Sequence, residues 1–391
     1  MQNALPRVGG SAKSLFVVST FLYWGSLYVY VPILSVYTQQ LGSSLSMVGL
    51  VVGAYGITQV VLRVPLGVFS DRLGRRKPFI LVGAFTAALG ALGLALSSDP
   101  WTLFLSRALT GVAASSWVAF TVLFSSYFPP RQAVRAMSLA TLVSGSSQLV
   151  ATFAGGQIAQ QFGYLATFYV GLALAGLAFA ISLRVQEEVR PSANPPTWSQ
   201  VFRIATVPLL LLVSFNAVLS QYAAYVTTYA FTPIYAERVG ASRADQGLLV
   251  TAMLVSWTIG QPLAGMLVER LGERLVVALG MALAAGAIAA TPFVTALPGL
   301  LGLQALSGFG RGVGFPVLMG LSVRYLPQEQ RATAMGVFQA VYALGMFAGP
   351  SAGGLIADAL GLDMVFYSTG LVCLLSAGLS LALPGRTAPR A

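Results

Sequence analysis

Apolar stretches long enough to cross a bilayer recur twelve times along this chain, and that recurrence leaves it few folds. In hydrocarbon every backbone N–H and C=O needs a partner within the chain, so only helices and closed barrels span a membrane. Runs of about 20 apolar residues meet that demand as helices. They fall near 14–38, 46–69, 78–97, 101–125, 134–160 and 164–184, then near 206–235, 245–268, 275–294, 298–323, 331–357 and 363–383. Only 8% of residues are charged and mean hydropathy is +0.79. An all-α membrane protein of twelve transmembrane helices is expected, with both termini on one side.

Charge orients it. With the termini inside, Arg7, Lys13, Arg72, Arg75, Arg76, Lys77, Arg131, Arg135, Arg184, Arg190, Arg203, Arg270, Arg274, Arg324, Arg331, Arg386 and Arg390 are cytoplasmic. Arg238 and Arg243 are left outside, a bias that predicts cytoplasmic termini in a multi-pass protein of the cell membrane. The net charge of +11 therefore speaks for topology and not for nucleic acid. The first apolar run is too long for a signal peptide and lacks a small-residue cleavage site, so it is expected to be retained. Outer loops are short, and the one sizeable break, 185–205, reads as a cytoplasmic linker. Trp198 and Phe202 in it form either an amphipathic turn on the membrane surface or part of a plain tether.

The second half repeats the first. Gly265, Glu269, Arg270, Gly272 and Arg274 each lie 198 positions beyond Gly67, Asp71, Arg72, Gly74 and Arg76. Ala136, Met137, Gly155, Gly156, Ile158, Gly163 and Tyr169 return as Ala334, Met335, Gly353, Gly354, Ile356, Gly361 and Tyr367, and Gly42 and Gly49 as Gly240 and Gly247. Such a repeat marks transporters built from two related bundles. The division expected is a six-helix bundle over 1–184, a linker over 185–205 and a second bundle over 206–391.

The loop after the second span, GVFSDRLGRRK at 67–77, resembles the G-x-x-x-D-R-x-G-R-R signature of the major facilitator superfamily, most like its bacterial efflux branch. The resemblance covers the whole chain. It implies rocking of two pseudo-symmetric bundles about a central substrate site. It also implies a conformational gate at Asp71, flanked by Gly67, Arg72, Gly74, Arg75 and Arg76 and drawn to the N-terminal end of the eleventh span near Arg331. Gly265, Glu269, Arg270 and Gly272 are its degraded second copy.

Three cations lie inside spans, Arg63, Arg107 and Arg311. An intramembrane arginine costs about 2.5–3.5 kcal/mol on insertion scales and so faces a bundle interior or a wet cavity. Arg63, near the cytoplasmic end, either snorkels or helps close the inner side. Arg107, four residues before Gly111, resembles the family's fourth-span arginine motif, which implies a part in proton transfer or substrate charge; a structural hydrogen bond is the competing role. The corresponding span of the second half carries the uncharged Gln304. Arg311 sits among Gly308, Gly310, Gly312 and Gly314 and either faces the cavity or is satisfied by carbonyls of a loosened helix.

In this fold the first and seventh spans face the cavity. They offer Trp24, Tyr30, Asn216, Gln221, Tyr222 and Tyr225 as cavity side chains, with aromatic packing as the alternative. The eleventh span carries GMFAGPSAGG, with Gly345, Gly349, Pro350, Gly353 and Gly354. It resembles an antiporter motif that belongs in the fifth span, where this chain keeps only Gly155 and Gly156. Packing between the halves is the role expected for it.

All eleven acids lie in loops or at span ends, and there is no histidine. A mid-span carboxylate or imidazole proton carrier is therefore missing, and coupling to protons would run through Asp71, Asp358 or the substrate's own charge. With one cysteine, Cys373 in an apolar run, no histidine and no interior acid, metal sites and the nucleophile–base pairs of enzymes are not expected, and neither is a cofactor. The reading is a secondary transporter exporting a small organic molecule, acting as a monomer in the lipid bilayer, with protons as a coupling ion of an antiport cycle. The alternative is a carrier of an organic anion or anionic lipid-like substrate recognised by Arg107 and Arg311. A non-transporting sensor would need an output domain, and none is expected after Leu383.

Overall fold

The computed structural model describes residues 10–129, 132–187 and 196–384. Arg7, Arg131, Arg190, Arg386, Arg390, Glu188, Pro191 and Pro195 lie outside the described residues. All regular structure among those described is helical.

The first span is two helices, α1 (Gly10–Tyr28) and α2 (Val31–Gln40). Pro32 in the first turn of α2 has no N–H to continue the ladder and its ring crowds the carbonyl four residues back, so the span breaks at 29–30. Next come α3 (Leu45–Leu73), α4 (Lys77–Leu96), the fourth span as α5 (Pro100–Ser115) and α6 (Trp117–Ser126), α7 (Ala133–Phe162) and α8 (Tyr164–Ser182). A short helix α9 (Trp198–Ala205) lies in the linker, closed by a reciprocal Thr197–Gln200 capping box. It buries Val201 and Ile204 and leaves Phe202 69% exposed, an amphipathic helix of two turns.

The seventh span is α10 (Pro208–Ala224), a π-helical stretch Tyr225–Phe231, and α11 (Thr232–Arg238). Then follow α12 (Arg243–Leu271), α13 (Glu273–Ala289), α14 (Leu297–Arg324), α15 (Gln328–Leu360) and α16 (Leu362–Ser380). Eleven spans among the described residues are long and apolar enough to cross a membrane. The twelfth, α7, has 30 residues, about 45 Å at 1.5 Å per residue, and its serines, threonines and glutamines dilute its hydropathy.

The two six-helix bundles are pseudo-symmetric in their packing. In the first, α1 packs on α7 and α8, α4 on α5 and α8, and α3 on α5; in the second, α10 packs on α15 and α16, α13 on α14 and α16, and α12 on α14. The break at 29–30, advanced by 198 residues, falls inside the π-helical stretch. Both bundles thus interrupt the same helix at the same depth, which is where transporters built on repeats concentrate irregular backbone.

The bundles meet along two repeat-related helix pairs, α3 on α15 and α7 on α12. Small residues set the approach. A methyl group on Gly49 would lie 2.0 Å from the Pro350 carbonyl oxygen, and one on Gly156 would lie 2.8 Å from Cα of Gly247. Gly247 and Gly354 are the repeat mates of Gly49 and Gly156, and a methyl group on Gly354 would lie 2.5 Å from the Leu45 carbonyl oxygen in the same sense.

These close approaches sit toward one face, the one bearing the 41–44, 97–99 and 239–242 turns (the distal face). Gly145, Gly265 and Gly336, nearer the face that carries the 74–77 loop (the proximal face), have nothing within 4 Å of an added methyl. The glycine interlock of the seam is therefore distal.

Candidate functional site

At mid-depth a chain of aromatic rings crosses the seam between the two interrupted helices. Tyr55 on α3 stacks on Tyr225 at 6.1 Å between centroids, and Tyr225 meets Tyr229 edge-on at 4.9 Å. An arginine stands at each end. The Arg107 guanidinium lies 4.4 Å from the Tyr55 ring centre and 5.9 Å from that of Tyr30. It donates to the Thr110 hydroxyl at 3.3 Å, and its Nε has no partner.

Arg311, from α14, lies 5.8 Å from the Trp257 ring and has Tyr229 and Cys373 as its titratable neighbours. It is 1% exposed, and both its Nε and one terminal nitrogen lack a hydrogen-bond partner. The glycines around it do not loosen the helix, since α14 runs unbroken through them. They let neighbours in: methyl groups on Gly308 and Gly312 would lie 2.5 and 2.4 Å from the Met253 and Trp257 carbonyl oxygens of α12, and one on Gly310 2.3 Å from Gly280 O of α13. The backbones fill the space beside the arginine without giving its nitrogens an acceptor.

Arg63 is held differently. It reaches across the seam to α15, donating to the Gln339 carbonyl at 3.2 Å and the Tyr342 hydroxyl at 2.8 Å, and bonds Gln59 on its own helix. It is a strut between the bundles, at the proximal margin of the aromatic chain.

The other proposed cavity residues divide. Tyr30 is fully buried with an unpartnered hydroxyl, and Trp24 is buried against Tyr23, Tyr28 and Trp117 with its indole N–H unpartnered. Tyr222 and Gln221 are half-buried on α10, while Tyr225 is buried in the ring chain. Asn216 is tied inside its own bundle: its amide donates to Leu212 O, and its oxygen accepts from the Ser376 and Ser380 hydroxyls of α16 at 3.0 Å each. Gln304 is likewise satisfied, accepting from Thr228 and donating to Thr232 at 3.0 Å each. It braces the π-helical stretch from α14.

At the proximal face Asp71 accepts from Arg76 of its own loop. Gly74 ends α3 in the left-handed region at φ +65°, which glycine adopts without strain. The first backbone N–H groups of α4, Arg76 and Lys77, donate to the Glu187 carboxylate. Arg72 and Arg75 are exposed, and a methyl group on Gly67 would lie 3.9 Å from Val118. In the second bundle Gly272 turns at φ +82°, Gly265 has open space beside it, and Arg331 donates to Leu326 O. The following helix, α13, is joined to α14 by an Arg324–Glu273 ion pair of 2.6 Å. Glu269 and Arg270 sit at the end of α12. Among the described residues, the ion-pair partner of Asp71 is Arg76 of its own bundle.

Further charged groups bond across the seam at the distal face. Asp358, near the end of α15, accepts from Leu45 N–H at 3.0 Å, Ser46 N–H at 2.9 Å and the Ser46 hydroxyl, so one bundle caps a helix of the other. A carboxylate there also meets the positive end of the α3 dipole. Gln160, its repeat mate, accepts from Arg243 N–H at 3.2 Å at the start of α12, and Arg243 covers the Tyr164 ring at 4.1 Å. Sequence reasoning left Gln160, Arg243 and Tyr55 out of the site; the 198-residue spacing from Asp358 to Gln160 was the available signal. Of the GMFAGPSAGG residues, Pro350 and Gly354 face α3 across the seam. Gly345 and Gly349 fit against Val218 and Tyr222 of α10, and Gly353 against Val226 and Phe231.

The family model described as Major Facilitator Superfamily matches residues 16–232 and 213–391. The chain is 28% identical over 371 residues to the multi-drug resistance efflux pump PmrA of Streptococcus pneumoniae, covering 90% of each. It is 25% identical over 338 residues to the inner membrane transport protein YajR of Escherichia coli, covering 84% of this chain and 74% of that one. Its fold matches the crystal structure of a bacterial homolog of the human lysosomal transporter Spinster, with a TM-score of 0.82 at 15% identity over 97% of this chain and 98% of that one. The chain is a multi-pass membrane transporter and belongs to the Major Facilitator Superfamily.

Proposed function

We propose that the protein exports a small organic molecule across the cell membrane by alternating access, its bodies 1–184 and 206–391 rocking on the 185–205 linker. The positive-inside bias makes the proximal face cytoplasmic, so the closed distal seam gives an arrangement that faces inward. The observation that carries the reading is the repeat-related closure: Gly49 with Pro350 and Gly156 with Gly247 interlock distally. Likeness to PmrA, named as an efflux pump, supports export as the direction.

The inner gate of this cycle is Asp71, which in the opposite state leaves Arg76 for the N-terminal end of α15 near Arg331. Antiport with protons would use Asp71 or Asp358, the carboxylates at the two gates, because the spans hold no acid at mid-depth. The protein works as a monomer in this reading.

The test is flux in proteoliposomes combined with accessibility of a reporter cysteine at the proximal seam. Asp71→Asn is expected to raise the inward-facing share and slow turnover. Unchanged accessibility removes the gate assignment, and a reconstituted protein that moves no member of a broad compound panel removes the transport reading.

A further inference from the structure

The arginines at the two ends of the tyrosine chain are not matched by any acid. Arg63, Arg107 and Arg311 lie inside spans, while every carboxylate of the sequence lies in a loop or at a span end. Arg63 is bonded on three sides, and Arg107 has a threonine hydroxyl and two ring faces. Arg311 has the Trp257 face alone, with two of its three nitrogens unpartnered at 1% exposure. A guanidinium presents its five donors in a planar fork that fits a carboxylate or phosphate two bonds at a time. Left unpaired away from water, that fork is among the costliest arrangements a protein interior holds.

A cationic substrate would be repelled from this position, and a neutral one would leave the charge uncompensated. An anionic group compensates it. We infer that the transported molecule is a small organic anion with an aromatic or otherwise flat apolar body, its acid group taken by the free nitrogens of Arg311. The body stacks among Trp257, Tyr229 and Tyr225, rings that already lie in face or edge contact with one another or with the arginine. Arg107, across the tyrosine chain, adds positive potential from the other bundle without making the first contact. This rests on the transport reading above and assigns its substrate class.

Three probes of one shape and three charges test it: 2-naphthoate, 2-naphthamide and 2-naphthylmethylamine, titrated against the purified full-length protein by thermal stability and tryptophan fluorescence. The acid is expected to bind and stabilise the wild type, with the amide and the ammonium form failing to do so. Arg311→Gln should weaken naphthoate binding about ten- to a hundredfold, the range for one charge-assisted hydrogen bond. Arg311→Lys, which keeps the charge and loses the fork, should fall between.

Equal binding of all three probes by the wild type overturns the anion site, as does preference for the amine or no binding of the acid; none of these readouts depends on a variant folding. Flux separates the two readings. A reconstituted protein that moves the amine or the amide and never the acid overturns the substrate class while transport stands. Acid binding that Arg311→Gln abolishes, with no flux of any probe, supports the site and overturns transport.

Discussion

Replacing Gly156 by alanine should open the distal face. The added methyl would meet Cα of Gly247 at 2.8 Å and the carbonyl oxygens of Ala244 and Arg243 at 3.0 Å. All three are backbone atoms of the opposing bundle, so no side chain can swing aside. Overpacking of this kind costs about 1–3 kcal/mol. The better helix propensity of alanine acts in both states and cancels, so the whole cost falls on the distally closed arrangement. That shifts the closed-to-open ratio by about 5–150-fold.

Gly145, on the same helix with nothing within 4 Å, is the control, and Gly145→Ala should leave the ratio where it was. Spin labels at Gln161→Cys and Ala359→Cys, exposed positions at the distal ends of opposite bundles, report the ratio as two distance populations. The single native cysteine, Cys373, is buried and is changed to alanine for the purpose. A distal distance unmoved by Gly156→Ala, or moved as far by Gly145→Ala, refutes the interlocking seam.

Other outcomes follow from the same contacts. Asp358→Ala removes an N-cap held across the seam, worth about 0.5–2 kcal/mol, and should lengthen the distal distance; a partial shift from Gln160→Ala is expected at the repeat-related contact. Thr102 and the Trp101 and Thr102 N–H groups hold the Asp99 carboxyl below its usual range at the start of α5. A depressed carboxylate stabilises above its unfolded pKa, so this cap should weaken as pH falls through the acid range, seen as faster hydrogen exchange over 100–104 at low pH and abolished by Asp99→Ala. Finally, export of an anion should be favoured by an inside-negative potential by about 2.3 kcal/mol per charge per 100 mV. Naphthoate leaving potassium-loaded vesicles should therefore speed up on adding valinomycin, and a rate indifferent to the potential would contradict an anionic cargo.

The spans, the basic loop at 67–77 and the two-bundle plan were legible because they follow from periodicity, charge and a 198-residue echo. The seam was half legible. Gly49, Gly156, Gly247 and Gly354 stand out as repeats, but a glycine in a sequence does not name the backbone that presses on it. Asn216 and Gln304 show the limit at the site: both are interior amides on suitable spans, and only their partners, Ser376 and Ser380 for one and Thr228 and Thr232 for the other, reveal them as braces. Arg311 and Arg107 are both intramembrane cations in the sequence, one among glycines and one in a family-like motif, with a cavity role and a structural role open to each. What sets them apart is the absence of a bonded neighbour around Arg311, a property of three-dimensional surroundings that spacing along the chain does not encode. Asp71 is a related case: as the proposed gate it would bond within its own loop in one state and across the seam in the other, and such a residue has no single address to be read.

Simultaneous distances at both ends of the molecule test the rocking of the two bundles most directly. Label pairs at Gln161 and Ala359 distally, and at Arg75 and Arg274 proximally, should give anticorrelated populations. As Gly156→Ala or Asp358→Ala lengthens the first, the second shortens by a matching fraction. Distal lengthening with the proximal pair unmoved, or both pairs lengthening together, would contradict a rigid-body exchange between the two faces.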